Sequence, residues 1–415
     1  MNSFYNKFRR EIAAGGDASN EAKQKSAQGT TILGGAILLA LMAYLGFRNI
    51  WTLLFVVGIL ISVFLHEMGH FMTAKWTGMK VTQFYMGFGP KIWSTVRNGV
   101  EFGLRLLPLG AYVRIVGMNN LDDCDPADES RSYRAQSYPK RMLVITAGSV
   151  MHLLIALSLL FGVYALAGRY AESGSVKVID APVAESPAQM AGVRVDDVVE
   201  SFDGQAVSTR QDLVDAIVSH RPGDVVDIVV SRDGQQVVLT ATLAANPADN
   251  SIAYLGVSSW SRDYVQLNPF RAIRYSVTDS LTTARLSIRG VFTILNPRNI
   301  VHNVTAPVAD PSTRPSTVVG VSQLGGEIGR QEGFKGILML LAGVNVFIGI
   351  FNMFPLLPFD GGHAAIATYE RIRSRGSRVY RADVAKMVPI ATAVVGLLLL
   401  MMFAGLYLDL TQPLG

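Results

Sequence analysis

The residues with the clearest chemical potential are His66-Glu67-Met68-Gly69-His70. On a helix, positions four apart share a face, so His66 and His70 can reach one metal ion, and Glu67 stands beside them to take a proton from water. The run 50–71 is nearly free of charge before His66, which makes it a candidate membrane span. Ionisable groups at membrane depth are expensive and point to function. The bland alternative is a histidine pair at a helix end whose polar tips reach the interface.

A catalytic zinc takes three protein ligands and leaves a fourth position for water. The chain has one cysteine, Cys124, which excludes an intrachain disulfide and a cysteine cage. A second long apolar run, 336–357, passes into Asn352-Met353-Phe354-Pro355-Leu356-Leu357-Pro358-Phe359-Asp360-Gly361-Gly362-His363. Asp360 is the expected third ligand, with His363 a competitor. His152, inside another apolar run, is either hydrogen-bonded to a neighbouring helix or in contact with metal or substrate.

These residues need a frame. The 415 residues are 50% apolar, with the apolar residues in blocks, as in a membrane protein. The expected spans are 32–47, 50–71, 142–168, 336–357 and 387–408; the first is short and forms either a hairpin with its tip at Arg48-Asn49 or one interrupted element. Residues 75–141 hold ten Lys and Arg, and 371–386 holds six more. By the positive-inside rule both segments are cytoplasmic. A cytoplasmic N-terminus then gives a five-span path that brings His66, His70 and Asp360 to the same depth near the cytoplasmic face. No cleavable leader is expected, and residues 1–30 read as a polar cytoplasmic arm.

Residues 81–116 read as a small sheet, with turns at Gly87-Phe88-Gly89-Pro90 and Asn98-Gly99. Residues 172–245 have soluble character and resemble a PDZ domain of the bacterial protease-associated type, a module that binds extended segments at a sheet edge. Within 246–334, an amphipathic helix over 269–293 carries Arg271, Arg274, Arg285 and Arg289, and 302–316 reads as a loop. The expected domains are thus the arm 1–30, a membrane part 31–168, the PDZ 172–245, a linker 246–334 and a second membrane part 335–410.

Over roughly residues 50–410 the sequence is similar to the site-2 protease family of intramembrane zinc metalloproteases, in its single-PDZ actinobacterial form. The resemblance rests on the His66–His70 motif, Gly87–Pro90, Pro108-Leu109-Gly110-Ala111-Tyr112-Val113, the PDZ and residues 352–361. It implies zinc held by His66, His70 and Asp360, with Glu67 as base. It further implies that Asn352 helps hold substrate or the oxyanion, and that the sheet, with Gly87 and Gly89, pairs with an unwound substrate strand. The chain departs from the family at Phe359, where Leu is usual, and at Ala147-Gly148-Ser149-Val150-Met151-His152, where Ala-Gly-Pro-x-x-Asn is usual.

The expected molecule is a polytopic α-helical membrane protein with a membrane-associated β-sheet and one extracytoplasmic PDZ domain. Its partners are single-span membrane proteins of the anti-sigma-factor type, a peptide or protein ligand of the PDZ, and lipid, with no nucleic acid. The sheet has a competing reading as a cytoplasmic lid. A non-catalytic scaffold that binds peptides through its PDZ is the alternative function. A metal transporter would carry internal repeats, which the sequence lacks.

Overall fold

The computed structural model describes residues 28–118, 124–247, 249–306, 308–310, 313–374 and 380–413. The arm expected over 1–30 lies, up to residue 27, outside the described residues, as do Arg375 and Arg378 of the second basic loop. Residues 162–272 form one compact unit, and the described residues on either side form the other.

The membrane unit begins with α1 (Gln28–Arg48) and α2 (Ile50–Trp76). Asn49 separates them in extended conformation, and its side chain accepts from the Trp51 amide at 3.0 Å. This cap starts α2 and sets the break between the two helices at Arg48-Asn49, where both readings put it. Gly78, at φ +81°, lies just past the other end of α2, and strands β1 (Val81–Arg97) and β2 (Val100–Ile115) follow.

Gly87 and Gly89, at φ +85° and +83°, fold β1 over on itself. A side chain at Gly87 would place its first carbon 2.7 Å from the Leu107 carbonyl oxygen. Residues 83–86 therefore face two segments of β2 at once, 101–104 on one side and 111–114 on the other, while 93–97 face 100–104. The two strands become four short rungs in the order 111–115, 81–86, 101–104, 93–97. Asn98-Gly99 turns the inner hairpin with positive φ at both residues, as a type I′ turn requires.

Helix α3 (Tyr138–Leu166) leads into the 162–272 unit. There β3 (Arg169–Val178), β4 (Val198–Phe202), β6 (Val225–Arg232), β7 (Gln235–Thr242) and β10 (Ser259–Val265) form a sheet in the order β10-β3-β4-β6-β7. Strand β5 (Gln205–Ala206) pairs with β4, and β8 (Ala244–Asn246) with β9 (Asp249–Tyr254). Helix α4 (Pro187–Met190) and helix α5 (Arg210–Val218), which opens on a Thr209–Asp212 capping box, complete a PDZ-type fold. Its core centres on Val176, Val199, Phe202, Leu213, Ile228 and Val230. Asp197, buried, is gripped by two bonds of 2.8 Å from Arg232. The unit is wider than the expected 172–245. Its closing strand β10 pairs with β3, a long-range partnership that the short pattern Ser-Trp-Ser-Arg-Asp-Tyr-Val does not announce.

Helix α6 (Pro269–Ile294) is the expected amphipathic helix, with Phe270, Ile273, Leu281, Ile288 and Phe292 exposed. Helix α7 (Pro297–Thr305) occupies the start of the expected 302–316 loop. Helix α8 runs over Val318–Asn352 and kinks at Gly333, so helix extends well before the expected 336 and stops before 357. Hydropathy misses 318–332 because Gln323, Glu327, Arg330 and Gln331 interrupt it. The early stop precedes Pro355 and Pro358, which lack the amide a helix needs. Helices α9 (Asp360–Arg373) and α10 (Val388–Thr411) follow.

By length and composition α2, α3, α8 and α10 are able to cross a membrane; α1 offers only a shorter apolar stretch, Gly34–Arg48. Lipid tails are as apolar as leucine, so packing shape rather than hydrophobic burial must join these helices. Helix α8 supplies it with glycine: a side chain at Gly325 would meet Phe55 at 2.7 Å, and one at Gly58 of α2 would meet Leu341 at 2.7 Å. At the end of α10, buried Asp409 accepts from the Thr317 amide at 2.7 Å, the Gly320 amide at 3.1 Å and Arg314 at 2.8 Å, which caps the start of α8. Gly325→Val should wedge α8 from α2 and destabilise the unit by about 1–3 kcal/mol, read as a lower thermal midpoint of the full-length protein in detergent; an unchanged midpoint would show that this contact is slack.

Candidate active site and metal centre

Helix α2 presents His66 and His70 on one face, both buried. Val144 of α3 receives the His70 Nδ1 proton through its carbonyl oxygen at 2.7 Å. A carbonyl only accepts, so Nδ1 carries a proton, and in the neutral imidazole Nε2 then carries a lone pair. That lone pair faces His66 Nε2 at 3.1 Å.

Asp360 arrives from the other half of the chain. After Asn352 ends α8, residues 353–359 run irregularly, and the Leu357–Pro358 peptide is cis. Phe359 is extended and Asp360 opens α9. Gly362 lets this first turn sit on the loop: a side chain there would approach the Leu357 nitrogen to 2.5 Å. Asp360 Oδ2 then lies 3.3 Å from His70 Nε2 and 3.5 Å from His66 Nε2.

The three atoms form a nearly equilateral triangle, and its size is informative. Charge-assisted hydrogen bonds between nitrogen and carboxylate measure about 2.7–2.9 Å, shorter than either Asp360 distance. Ligands about 2.0–2.1 Å from a tetrahedral zinc stand about 3.3–3.4 Å apart, as these do. Asp360 Oδ2 is buried and has no hydrogen-bond partner among the described residues. His66, His70 and Asp360 are thus able to hold one metal ion, and they are a metal-competent group among the described residues. Glu67 stands just outside the triangle, with Oε1 4.0 Å from His66 Nε2. On its other side is the backbone amide of Val113, in the outer rung of the sheet.

His152 is 1% exposed and lies outside the metal-competent group. Its Nδ1 faces Asn345 Oδ1 of α8 at 2.8 Å. The Asn345 amide nitrogen is committed to the Leu341 carbonyl at 2.8 Å and to Ser62 of α2 at 3.0 Å, so its oxygen must accept from His152. The ring of His152 packs 4.9 Å from that of His66. This is the helix-to-helix role weighed for His152, and it ties α2, α3 and α8 together beside the histidines. His363, the competitor ligand, is buried one turn beyond Asp360 and also lies outside the group. Asn352 ends α8, eight residues before Asp360, and is half-buried. Gly87 and Gly89 stand at the fold-over turn, where their backbone shape alone calls for glycine.

Sequence reading missed Ser62, Asn345 and Gly148. Ser62 precedes His66 by one helical turn, and Asn345 is a lone amide in an apolar run; both are detectable signals. Gly148 is subtler. A side chain there would come within 2.5 Å of His70 Nε2 and strike the His66 imidazole as well. Gly148→Ala should therefore displace both imidazoles and weaken metal binding by about 10–100-fold, read as lower metal content per chain by elemental analysis after dialysis against a competing chelator. Full metal content in that variant would show that the site tolerates the methyl group.

Comparison with known proteins agrees with this geometry. The family model described as Peptidase family M50 matches residues 54–396. The chain is 31% identical over 400 residues to zinc metalloprotease Rip1 of Mycobacterium tuberculosis, covering 87% of this chain and 97% of that protein. It is also 31% identical over 406 residues to zinc metalloprotease Rip1 of Mycolicibacterium smegmatis, covering 88% and 98%. Among solved structures, the PDZ domain of the SdrC-like protein from Listeria monocytogenes aligns at 20% identity over 21% of this chain and 90% of that one, with a TM-score of 0.19. The PDZ-type fold of the 162–272 unit rests on its own strand order. With four helices able to cross a bilayer, the chain is a multi-pass membrane zinc metalloprotease and belongs to peptidase family M50.

Proposed function

We propose that this protease cuts peptide bonds inside the membrane-spanning segments of single-span proteins, of the anti-sigma-factor type that the family resemblance implies. In this reading His66, His70 and Asp360 hold the zinc and Glu67 is the catalytic base. The observation that carries it is the triangle of ligand atoms, 3.1–3.5 Å on a side, with the Glu67 carboxylate 4.0 Å from one corner.

A bound zinc ion supplies positive charge that acidifies water and polarises a carbonyl. The protein's residues do the rest. Glu67 takes a proton from water as it attacks the scissile carbonyl and returns one to the leaving nitrogen. His70 is held in one tautomer by Val144 and keeps its lone pair on the metal side. Asn352, just ahead of the loop to Asp360, is assigned to the substrate carbonyl.

The substrate must be unwound before it is cut, because a helix satisfies its own backbone bonds. The outer rung 111–115 suits an extended segment. Among the described residues no third strand pairs with this sheet, and Val113 of that rung lies beside Glu67. A strand added there is fixed by main-chain bonds near the ligand triangle. Gly87 and Gly89 serve this platform by folding β1 so that 111–115 is an edge. Positive-inside counting supports an active site near the cytoplasmic face and an extracytoplasmic PDZ that binds a peptide or protein segment.

The deciding experiment is co-expression with tagged single-span anti-sigma factors, followed by mapping of the cut. Glu67→Gln should keep its zinc and lose cleavage by roughly the 10²–10⁴-fold that a general base contributes. Asp360→Asn should lose both. Undiminished cleavage by Glu67→Gln would rule out this mechanism, and a cut outside the spanning segment would rule out intramembrane proteolysis.

A further inference from the structure

Asp360 and Glu370 sit near opposite ends of α9. Glu370 is 4% exposed, and both of its oxygens are engaged. Oε2 accepts from Arg141 at 2.7 Å, and Arg381 also lies 3.5 Å from it. Oε1 accepts from the Ala382 amide at 2.8 Å. The Arg141 guanidinium also lies 4.8 Å from the centre of the Tyr133 ring. Burial pushes the Tyr133 phenol up to about 12, so this neighbour stays neutral. Tyr133, Arg141, His363 and Glu370 line one cavity of about 20 Å³, which makes the clamp continuous with the first turns of α9.

Arg141 is three residues before Val144 on α3, one turn away on the same face. The same helix therefore fixes His70 through Val144 and the far end of α9 through Arg141. Ten residues of helix span about 15 Å. Over that lever a tilt of about 4° moves the Asp360 end by about 1 Å, enough to spoil a catalytic geometry.

We propose that Glu370 is a positioning residue for the metal site: clamped to Arg141 and Ala382, it sets the tilt of α9 so that the Asp360 carboxylate meets both imidazoles. This rests on the reading of Asp360 as a zinc ligand. The test is zinc affinity of the purified full-length protein in detergent, by competition with a chromophoric chelator, together with kcat and KM. Glu370→Gln should bind zinc about tenfold or more weakly and lose kcat in proportion, with KM unchanged. Glu370→Asp, which keeps the charge on a shorter stem, should fall between the two. Asp197→Asn, which breaks a buried ion pair in the 162–272 unit, controls for lost stability and should leave zinc affinity alone. Zinc affinity of Glu370→Gln equal to wild type overturns the proposal, as does an equal loss in Asp197→Asn. If Glu370→Gln does not fold, Arg381→Ala is measured instead, with weakened zinc binding supporting the clamp and unchanged binding overturning it. Asp360→Asn separates the two readings, because wild-type zinc affinity in that variant would instead refute the ligand assignment.

Discussion

Two imidazole nitrogens and a carboxylate oxygen converge in an apolar bundle that offers them little water. Removing even one ion from water costs several kcal/mol after relaxation, and a polar group left unpaired adds to that. A cation among His66, His70 and Asp360 would be attracted to all three atoms at once. The contrast with the other buried acids is telling. Glu370 and Asp409 have both oxygens engaged by arginines and backbone amides, whereas Asp360 Oδ2 has no hydrogen-bond partner among the described residues. The proteins' usual remedy for a buried carboxylate has been applied twice and withheld once.

Holding such an arrangement requires a stiff surround, and the surround is built from small residues and directional bonds. Glycines at 58, 69, 325 and 362 let backbones approach where side chains would collide. The Ser62–Asn345–His152 bonds fix the register of three helices at the depth of the histidines. The Asp409 cluster pins the start of α8 to the end of α10, and the Glu370 clamp pins α9 to α3. Neither half of the site is a local structure. His70 depends on α3 for the partner of its Nδ1, both histidines depend on it for clearance, and Asp360 depends on two helix ends and a loop.

Much of this was legible in the sequence. The four-residue histidine spacing, the apolar runs and the Asn98-Gly99 turn are periodic or local signals, and they placed α2, α3, α10 and the four rungs well. The start of α8 was not legible, because 318–332 is helical through glycine contacts with α2 rather than through its own hydropathy. Strand β10 was hidden for a related reason, since it exists by pairing with β3 some ninety residues earlier. At the site, Asp360 could be anticipated from topology. Gly148 could not, because its contribution is the absence of a side chain, and an absence has no spacing. Glu370 carries no motif or spacing of its own, and its partners lie at the distant Arg141 and at Arg381 and Ala382.

The distance between His70 and Asp360 along the chain has a consequence for biosynthesis. The two lie 290 residues apart in sequence, and at about 5–20 residues per second a ribosome needs roughly 15–60 s to travel from one to the other. For most of that interval the histidines, Glu67 and the sheet segment 81–116 have been synthesised and Asp360 has not. The partners of Glu370 are divided the same way, with Arg141 made early and Arg381 and Ala382 made late. A metal site built from His66, His70 and Asp360 can therefore be completed only once most of the polypeptide has been made.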